Sequence, residues 1–348
     1  MEATLENVRI AGISAAVPRG METISDATYE DAAARQRFSA VTGIQQRRPC
    51  SSDEFFSDLA LAAAERLLQD LPWDRSSIDA LVVVTQSGDL VYPATACVLQ
   101  HKLGLSTACA AFDINLGCSG YPYALYAAGR LLRPSEGSRV LVLVGDAAGK
   151  PNPASPRPPL FGDAATATGL EWCPGAEPIM FFLHTDGSGW HYIMERRPGG
   201  RPPVEADSFR AVTDANGHVH LACHHQLLGE DVVNFSTRVV PGAVRDAVSR
   251  SAQSLDGIDY FVFHQANRLI NEAIRRSLRL DASRVPATLA EFGNTSSATI
   301  PLTLVQQCGS ILRENTSRFV LCGFGVGLSW GTTICQLGPI ACPSLVEL

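Results

Sequence analysis

The chain has 348 residues, of which 46% are hydrophobic and 18% charged, so it can form a folded globular protein with two cores or one large double core. A net charge of −7 without a long basic run argues against nucleic-acid binding. No apolar stretch reaches the roughly 18 residues that a membrane helix needs, no signal peptide is recognisable, and the ten cysteines form no C-x-x-C pair, so we expect a cytoplasmic protein without a membrane segment.

Strand-like and helix-like segments alternate along the chain, which predicts an α/β fold. The order of segments also contains a weak internal repeat. Ile78–Val84 resembles Ile258–His264, and Arg139–Gly145 resembles Arg318–Gly323, at nearly the same separation along the chain. The repeat predicts two similar halves, residues 1–173 and 174–348, packed about a pseudo-two-fold axis.

Cys118 is the best candidate for a nucleophile. It follows Phe112–Leu116, which we interpret as a short buried strand, and precedes a segment with helical periodicity over Tyr121–Leu132. Gly117 permits a tight turn between the two. A thiol at a helix start faces unpaired backbone N–H groups and the positive end of the helix dipole, which favour the thiolate. The alternative is a small buried residue.

The second half of the repeat supplies two further candidates. His264 ends the strand that corresponds to Ile78–Val84, and Asn294 precedes a helix much as Cys118 does. Side chains at strand ends are where open α/β sheets place their chemistry. Taken alone, His264 could be a buried, satisfied histidine and Asn294 a helix N-cap. Together with Cys118, they predict a catalytic Cys–His–Asn site.

The same residues lie within five motifs that resemble the β-ketoacyl-ACP synthase III family of the thiolase superfamily. The motifs occur in the order and spacing of that family and span nearly the whole chain. They are Asp113–Gly120, Leu160–Ala165, Phe263–Asn267, Phe292–Ser297 and Gly323–Gly331. The resemblance implies a thiolase-like fold, with two α/β/α halves forming five αβαβα layers.

The resemblance also implies a mechanism. Cys118 would take an acyl group from a thioester, and the backbone N–H groups of Cys118 and Val326 would form the oxyanion hole. A neutral His264 and Asn294 would then bind the carbonyl of an extender, typically malonyl on acyl carrier protein. The same two residues would stabilise the enolate that forms on loss of CO2. Phe324 would contact the substrate. No cofactor or metal is required, since phosphopantetheine arrives on the substrate carrier.

The chain departs from family members that load from coenzyme A. The aromatic and cationic residues that hold the adenine correspond here to Arg37, Val41 and Leu269. Loss of a stacking ring and two cations should weaken coenzyme A binding. The departures therefore favour an acyl donor carried by acyl carrier protein.

A basic landing site for an acidic carrier protein is expected on the helix that follows His264. Three of its arginines share one face at helical spacing, and phosphate recognition favours arginine. A solvated charged face is the alternative. The four candidate docking residues are Arg268, Arg275, Arg276 and Arg279.

Tyr92 corresponds to the aromatic residue that, in the family, crosses a dimer interface and limits the acyl pocket of the partner. The resemblance therefore implies a homodimer and makes Tyr92 a substrate-binding candidate.

Residues 216–225 contain a histidine cluster that lies outside the five motifs. His218, His220 and His224 would share one face of a strand and could bind zinc. Their spacing fits known zinc sites poorly, so we interpret the segment as a hairpin near the active-site mouth and expect no metal.

Three alternative functions are considered for a protein of this fold. An acyltransferase would pass the acyl group to an alcohol or amine, and a non-decarboxylative enzyme would join two β-ketoacyl chains. A non-enzymatic partner subunit would be expected to lack the nucleophile, which is present. The His264–Asn294 pair favours condensation over oxygen acylation, because only condensation needs an enolate site. We therefore interpret the chain as a condensing enzyme that takes acyl thioesters, in specialised fatty-acid or polyketide biosynthesis.

Overall fold

Two β-sheets organise the structure, a computed structural model that describes residues 1–24, 32–149, 159–195, 210–213, 219–221 and 226–348. The strands of these residues are β1 (Glu2–Leu5), β2 (Val8–Val17), β3 (Glu22–Thr23), β4 (Gln46–Arg47), β5 (Ile78–Val84), β6 (Ala110–Ile114), β7 (Arg139–Asp146), β8 (Ala164–Trp172), β9 (Ile179–Thr185), β10 (Ile193–Met194), β11 (Ala211–Thr213), β12 (Val219–Leu221), β13 (Gln226–Leu227), β14 (Tyr260–Phe263), β15 (Ser317–Gly325), β16 (Ser329–Leu337) and β17 (Val346–Glu347). The α-helices are α1 (Ala32–Thr42), α2 (Phe56–Asp70), α3 (Thr95–Lys102), α4 (Gly120–Leu131), α5 (Gly229–Arg250), α6 (Arg268–Leu278), α7 (Leu289–Phe292) and α8 (Thr299–Glu314).

Four consecutive strands, β2-β8-β7-β5 and β9-β16-β15-β14, follow the same order in the two sheets, which confirms the repeat predicted from the sequence. One sheet has the order β17-β2-β8-β7-β5-β6 and the other β1-β9-β16-β15-β14. In each sheet a parallel pair, β5 with β7 or β14 with β15, lies beside an antiparallel pair, β7 with β8 or β15 with β16. The matched segments therefore occupy equivalent positions in the two halves.

Side-chain alternation along the strands builds the layers. In β5, Val82 and Val84 point to one core, whereas Leu81 and Val83 point to another. Helices α4 and α8 fill the first core, between the two sheets, and α2 and α3 cover the outer face of the first sheet. Helices α5 and α6 cover the outer face of the second sheet. The result is the five-layered αβαβα thiolase fold.

Each terminal strand pairs with the sheet of the opposite half. β1 extends the second sheet by pairing with β9, and β17 extends the first by pairing with β2. The expected division at residue 173 falls in the connection between β8 and β9. The two halves are therefore tied together at both termini as well as through their shared helical layer.

The strand before Cys118 differs from the prediction in its burial. It covers Ala110–Ile114 and forms the edge of the six-stranded sheet, with Phe112 36% exposed. The prediction of a buried strand was wrong because apolar residues on an edge strand give the same sequence signal as those on a central one. The following helix, predicted over Tyr121–Leu132, is confirmed as α4.

Part of the histidine cluster lies outside the described residues. His218 and His224 are among those not described, and only the backbone of His220 is, within β12. β11 and β12 pair antiparallel, which agrees with the expected hairpin. Across the described part of the chain, no group of three or more metal-ligating side chains comes together. No helix in these ranges has the length and hydrophobicity to cross a membrane.

Candidate active site

One cavity of about 1470 Å³ contains Cys118, His264 and Asn294 among its lining residues. Each side chain comes from a different part of the fold. Cys118 lies in the connection from β6 to α4, His264 directly follows β14, and Asn294 lies between α7 and α8. The three residues predicted from the sequence therefore meet, because the two sheets place these connections at one end of the central helical layer.

The Cys118 sulfur lies against two backbone N–H groups, its own and that of Val326, which donate to it. Glycine makes this close approach possible. A Cβ atom at Gly325 would lie 2.8 Å from Cys118 Cβ and 3.2 Å from Sγ, and one at Gly323 would lie 2.7 Å from the Cys118 carbonyl oxygen. Strand β15 thus brings its backbone to the sulfur, at the place where an oxyanion hole would be needed.

His264 is held by a hydrogen bond and an aromatic contact. Its ring is buried, with Nδ1 2.8 Å from Thr299 Oγ1, and Phe324 packs edge-on against it at 5.4 Å between ring centroids. Burial lowers the pKa of His264 to about 3, so the imidazole is neutral at physiological pH. His264 is therefore neutral, as binding of an extender carbonyl would require.

The Thr299 hydroxyl sets which ring nitrogen of His264 carries the proton. This hydroxyl also lies 2.9 Å from the Ser296 carbonyl oxygen and has one proton to donate. When that proton goes to Ser296, Nδ1–H donates to Thr299. When it goes to Nδ1, Nε2 carries the ring proton and can donate to a carbonyl oxygen. Enolate stabilisation requires the second arrangement.

Asn294 is oriented by its own loop. Its Oδ1 accepts from the Ser296 N–H at 2.9 Å, and its Nδ2 lies 3.5 Å from the Ala266 carbonyl oxygen. Asn294 is not the helix N-cap considered as its alternative role, because the residues at the N-cap positions of the following 3₁₀ turn and of α8 are Thr295 and Ala298. Because Oδ1 is occupied by a donor, the amide offers its N–H groups to a carbonyl in the cavity.

The environment of Cys118 opposes the thiolate, contrary to the expectation from its position near the start of α4. Burial and the nearby carboxylate of Asp146 raise the pKa of the thiol to about 12, although the Ser296 hydroxyl and the N–H groups of Cys118 and Val326 would stabilise a thiolate and so act in the opposite direction. The prediction considered only the local helix start. The thiol therefore needs a proton acceptor as it attacks.

The other predicted residues are placed less centrally. Tyr92 is 83% exposed and is not among the cavity-lining residues, whereas its neighbours Leu90 and Val91 are. Phe324 lines the cavity, and its contact with the substrate remains a prediction. On α6, Arg275 is bound to the Glu272 carboxylate and the Leu280 carbonyl.

Arg275 is therefore engaged within its own helix end. Arg268 donates to the Ala40 carbonyl at the end of α1. Arg276 is 77% exposed but lies 3.6 Å from Glu272, and Arg279 ends the helix in an exposed left-handed conformation. The charges most available for docking are thus Arg276 and Arg279.

Sequence reasoning missed three residues beside the catalytic candidates. Ser296 lies within the motif Phe292–Ser297 and Thr299 lies just after it, but neither was predicted to be functional. Asp146 follows directly after the repeated segment Arg139–Gly145. A charged residue at the end of an apolar strand was the available signal for Asp146. All three contact a predicted catalytic side chain or act electrostatically on it.

We expect His264 to make the stability of the protein pH-dependent. Below pH 6.5 the unfolded chain binds a proton at this histidine whereas the folded one does not, so the free energy of unfolding falls as pH is lowered. Between pH 5.5 and 4.5 wild type should lose about 1.4 kcal/mol more than His264→Gln. Urea unfolding of both proteins at the two pH values measures this difference, and parallel curves would contradict it.

Two family models match the chain. Residues 112–187 match 3-oxoacyl-[acyl-carrier-protein (ACP)] synthase III, and residues 248–337 match its C-terminal region. The chain is 30% identical over 338 residues to a β-ketoacyl-[acyl-carrier-protein] synthase III of Staphylococcus saprophyticus, covering 95% of this chain and 99% of the relative.

Solved structures are similar along the whole chain. A 3-oxoacyl-(acyl-carrier protein) synthase from Burkholderia xenovorans superimposes with a TM-score of 0.91 at 32% identity, covering 100% of this chain and 99% of the other. The priming β-ketosynthase of the R1128 polyketide biosynthetic pathway gives a TM-score of 0.79 at 25% identity, covering 97% and 98%.

Proposed function

Since the chain belongs to the 3-oxoacyl-[acyl-carrier-protein] synthase III family, we propose that it is a cytoplasmic condensing enzyme that forms a carbon–carbon bond between an acyl group on Cys118 and a malonyl-type extender on acyl carrier protein. The observation that carries this proposal is the meeting of Cys118, His264 and Asn294 in one cavity, with two backbone N–H groups at the sulfur. We further propose a role in specialised fatty-acid or polyketide biosynthesis, supported by the similarity to the polyketide priming synthase.

The first half-reaction is acyl loading. The Cys118 sulfur attacks the thioester carbonyl, the N–H groups of Cys118 and Val326 bind the developing oxyanion, and the donor thiol leaves. The phosphopantetheine arm needs a path to the sulfur, which the cavity provides.

The second half-reaction is condensation. Loss of CO2 from the malonyl thioester leaves an enolate, whose oxygen accepts hydrogen bonds from His264 Nε2–H and the Asn294 amide. The enolate carbon attacks the acyl carbonyl, and the bond to Cys118 breaks. The low pKa of His264 suits this role, because a neutral imidazole donates without giving up its proton.

The mouth of the cavity supports a carrier-protein donor. Val41 and Leu269, at the two positions where family members that bind coenzyme A have arginine, both line the cavity and are each 51% exposed. Two accessible aliphatic side chains offer no charge to the phosphates of coenzyme A. We therefore propose acyl carrier protein as the acyl carrier.

Homodimer formation is part of the proposal. The edge strand β6 and the 90–93 segment expose Phe112, Leu90, Val91 and Tyr92. An exposed sheet edge beside an apolar loop is a surface that a second copy can cover. In such a dimer, Tyr92 would be positioned to reach the partner.

The donor proposal is tested by comparing single-turnover acylation by the same acyl group on acyl carrier protein and on coenzyme A. Faster loading from the carrier protein at equal concentration supports the proposal. Efficient loading from coenzyme A would overturn the donor assignment while leaving the roles of Cys118, His264 and Asn294 intact.

Reversing two exposed charges should weaken carrier-protein docking. We expect Arg276→Glu combined with Arg279→Glu to raise KM for the acyl carrier protein about three- to tenfold, because exposed ion pairs contribute ~0.2–1 kcal/mol each. KM for an acyl-pantetheine donor should stay unchanged. Arg66→Glu on α2, in the opposite outer layer, is the matched control. Equal KM values for the double variant and the control would contradict docking on α6.

A further inference from the structure

Asp146 is a buried carboxylate that the proposed mechanism does not yet use. It ends strand β7, is 2% exposed and lines the cavity. Its Oδ1 accepts from Gln86 N at 2.7 Å, Ser87 Oγ at 3.0 Å and Thr85 Oγ1 at 3.1 Å. No lysine or arginine of the described chain forms an ion pair with it, so three neutral donors hold the carboxylate in place.

The second carboxylate oxygen faces the catalytic side of the cavity. Asp146 Oδ2 lies 3.4 Å from Ser297 Oγ, and the Ser296 hydroxyl also donates to this carboxylate. The same Ser296 hydroxyl bonds to the Cys118 thiol. Its Oγ would lie only 3.5 Å from a Cβ at Gly117, which places it beside the turn that carries the nucleophile.

The backbone at Ser296 is held in an uncommon conformation. Its φ is 52°, in the left-handed region that side chains other than glycine rarely occupy. The hydrogen bond from its N–H to Asn294 Oδ1 fixes this geometry. Such strain is retained where the surrounding structure needs one orientation of a side chain. Here it keeps the hydroxyl between Cys118 and Asp146.

We propose that Ser296 and Asp146 form the proton path for acyl loading of Cys118. As the Cys118 S–C bond forms, the thiol proton passes to Ser296 Oγ, and the Ser296 hydroxyl proton passes to Asp146 Oδ2. When the thioester C–S bond of the donor breaks, Asp146 returns a proton through Ser296 to the leaving thiolate. The steps leave Asp146 a carboxylate and Ser296 a hydroxyl. This inference rests on the proposed function.

His264, the alternative acceptor, is not available in this arrangement, because its Nε2 carries the proton that the extender carbonyl requires. Burial raises the pKa of the Asp146 carboxyl, because the charged form loses its solvation, but it lowers the pKa of His264 to about 3. His264 Nδ1 is also bonded to Thr299. The two pairs therefore divide the work: Ser296 and Asp146 handle the thiol proton, whereas His264 and Asn294 bind the extender carbonyl.

Other titratable groups lie around the same cavity and contribute to any pH profile. Besides Cys118, Asp146 and His264, those of the described residues that line it are Asp89, Asp113, Glu195 and Glu230. The test therefore compares variants with wild type rather than assigning an absolute pKa.

The test uses Asp146→Asn, which keeps Oδ1 as the acceptor for its three donors and so preserves the local structure. Two measurements are made: the pH dependence of Cys118 alkylation by iodoacetamide, and the single-turnover rate of acylation by acyl carrier protein at pH 7. Removal of the negative charge should move alkylation to lower pH. Loss of the proton acceptor should nevertheless slow acylation about 10²-fold.

Ser296→Ala and Ser296→Gly test the relay hydroxyl independently, since glycine also accepts the left-handed backbone. Both should slow acylation to a similar extent. Ser297→Ala is the matched control, because Ser297 bonds to Asp146 without being among the groups that donate to Cys118, and its rate should stay within about threefold of wild type.

Opposite changes in the two measurements support the relay. If Asp146→Asn is both alkylated and acylated faster than wild type, Asp146 acts only as a charge and the relay is overturned. Acylation of both Ser296 variants at the wild-type rate would overturn it as well. Wild-type protein that is not acylated at all would instead refute the proposed function, and the relay with it.

Discussion

Cys118→Ala should abolish covalent acylation by acyl thioesters and lower condensation by at least about 10⁴-fold, because the nucleophile that forms the acyl-enzyme is removed. The sulfur is the atom toward which the N–H groups of Cys118 and Val326 point. Alanine retains the backbone at this position and leaves the Gly325 approach unobstructed. The fold should therefore survive the loss of activity.

Intact-protein mass spectrometry measures the expected mass gain in wild type and its absence in Cys118→Ala. Cys97→Ala is the matched control, because Cys97 on α3 is the most exposed free thiol among the cysteines that the structure describes. It should be acylated like wild type. An acylated Cys118→Ala, or a Cys97→Ala that loses the modification, would contradict the assignment of the nucleophile.

His264→Ala should separate the two half-reactions. We expect acyl loading within a few-fold of wild type and a condensation rate lowered about 10²–10³-fold, the usual loss when one preorganised donor to a developing oxyanion is removed. The physical reason is that His264 serves the extender carbonyl, whereas the loading oxyanion is bound by backbone N–H groups. Asn294→Ala should lower condensation to a similar extent, but it should also slow loading, because Asn294 Oδ1 holds the Ser296 N–H.

The measurement is a pair of single-turnover rates, one for mass gain on Cys118 and one for its discharge by malonyl carrier protein. Thr299→Val provides a graded comparison: it keeps the size of the side chain but removes the hydroxyl that bonds to His264 Nδ1. Condensation should fall, though by less than in His264→Ala. Loss of loading in His264→Ala, with discharge unaffected, would reverse the assigned roles.

The sequence was sufficient to predict the architecture and the meeting of Cys118, His264 and Asn294 in one cavity. The apolar segments at residues 78–84 and 258–264 do form equivalent strands, β5 and β14. His264 and Asn294 meet Cys118 because the duplication brings corresponding connections to one end of the molecule. These features follow from segment order and strand ends, which are visible along the chain.

The electrostatics of the site depend on contacts between segments distant along the chain. The helix start near Cys118 predicted a lowered thiol pKa, but the carboxylate that opposes it, Asp146, comes from strand β7. Parallel pairing of β7 with β5 sets the position of that carboxylate, and no local pattern around Cys118 reveals it. Burial of the site has the same non-local origin.

The ion pairs of the α6 arginines, in contrast, could have been predicted from the local sequence. Glu272 precedes Arg275 by three residues and Arg276 by four, a spacing at which helix side chains meet. This spacing indicates that the two arginines share an acidic neighbour. The exposure of β6, in contrast, could not have been predicted, because edge position is decided by the strand order of the whole sheet.

The most direct test of condensation is the discharge of acyl-Cys118 by malonyl carrier protein. Acylated enzyme, freed of donor, is mixed with malonyl carrier protein, and the masses of both proteins are followed with release of CO2. The enzyme should return to its unmodified mass while the carrier protein gains a β-ketoacyl chain in place of the malonyl group. Decarboxylative condensation would be contradicted by an acyl-enzyme that malonyl carrier protein leaves intact but an alcohol or amine discharges. Discharge by malonyl carrier protein without release of CO2 would contradict it as well.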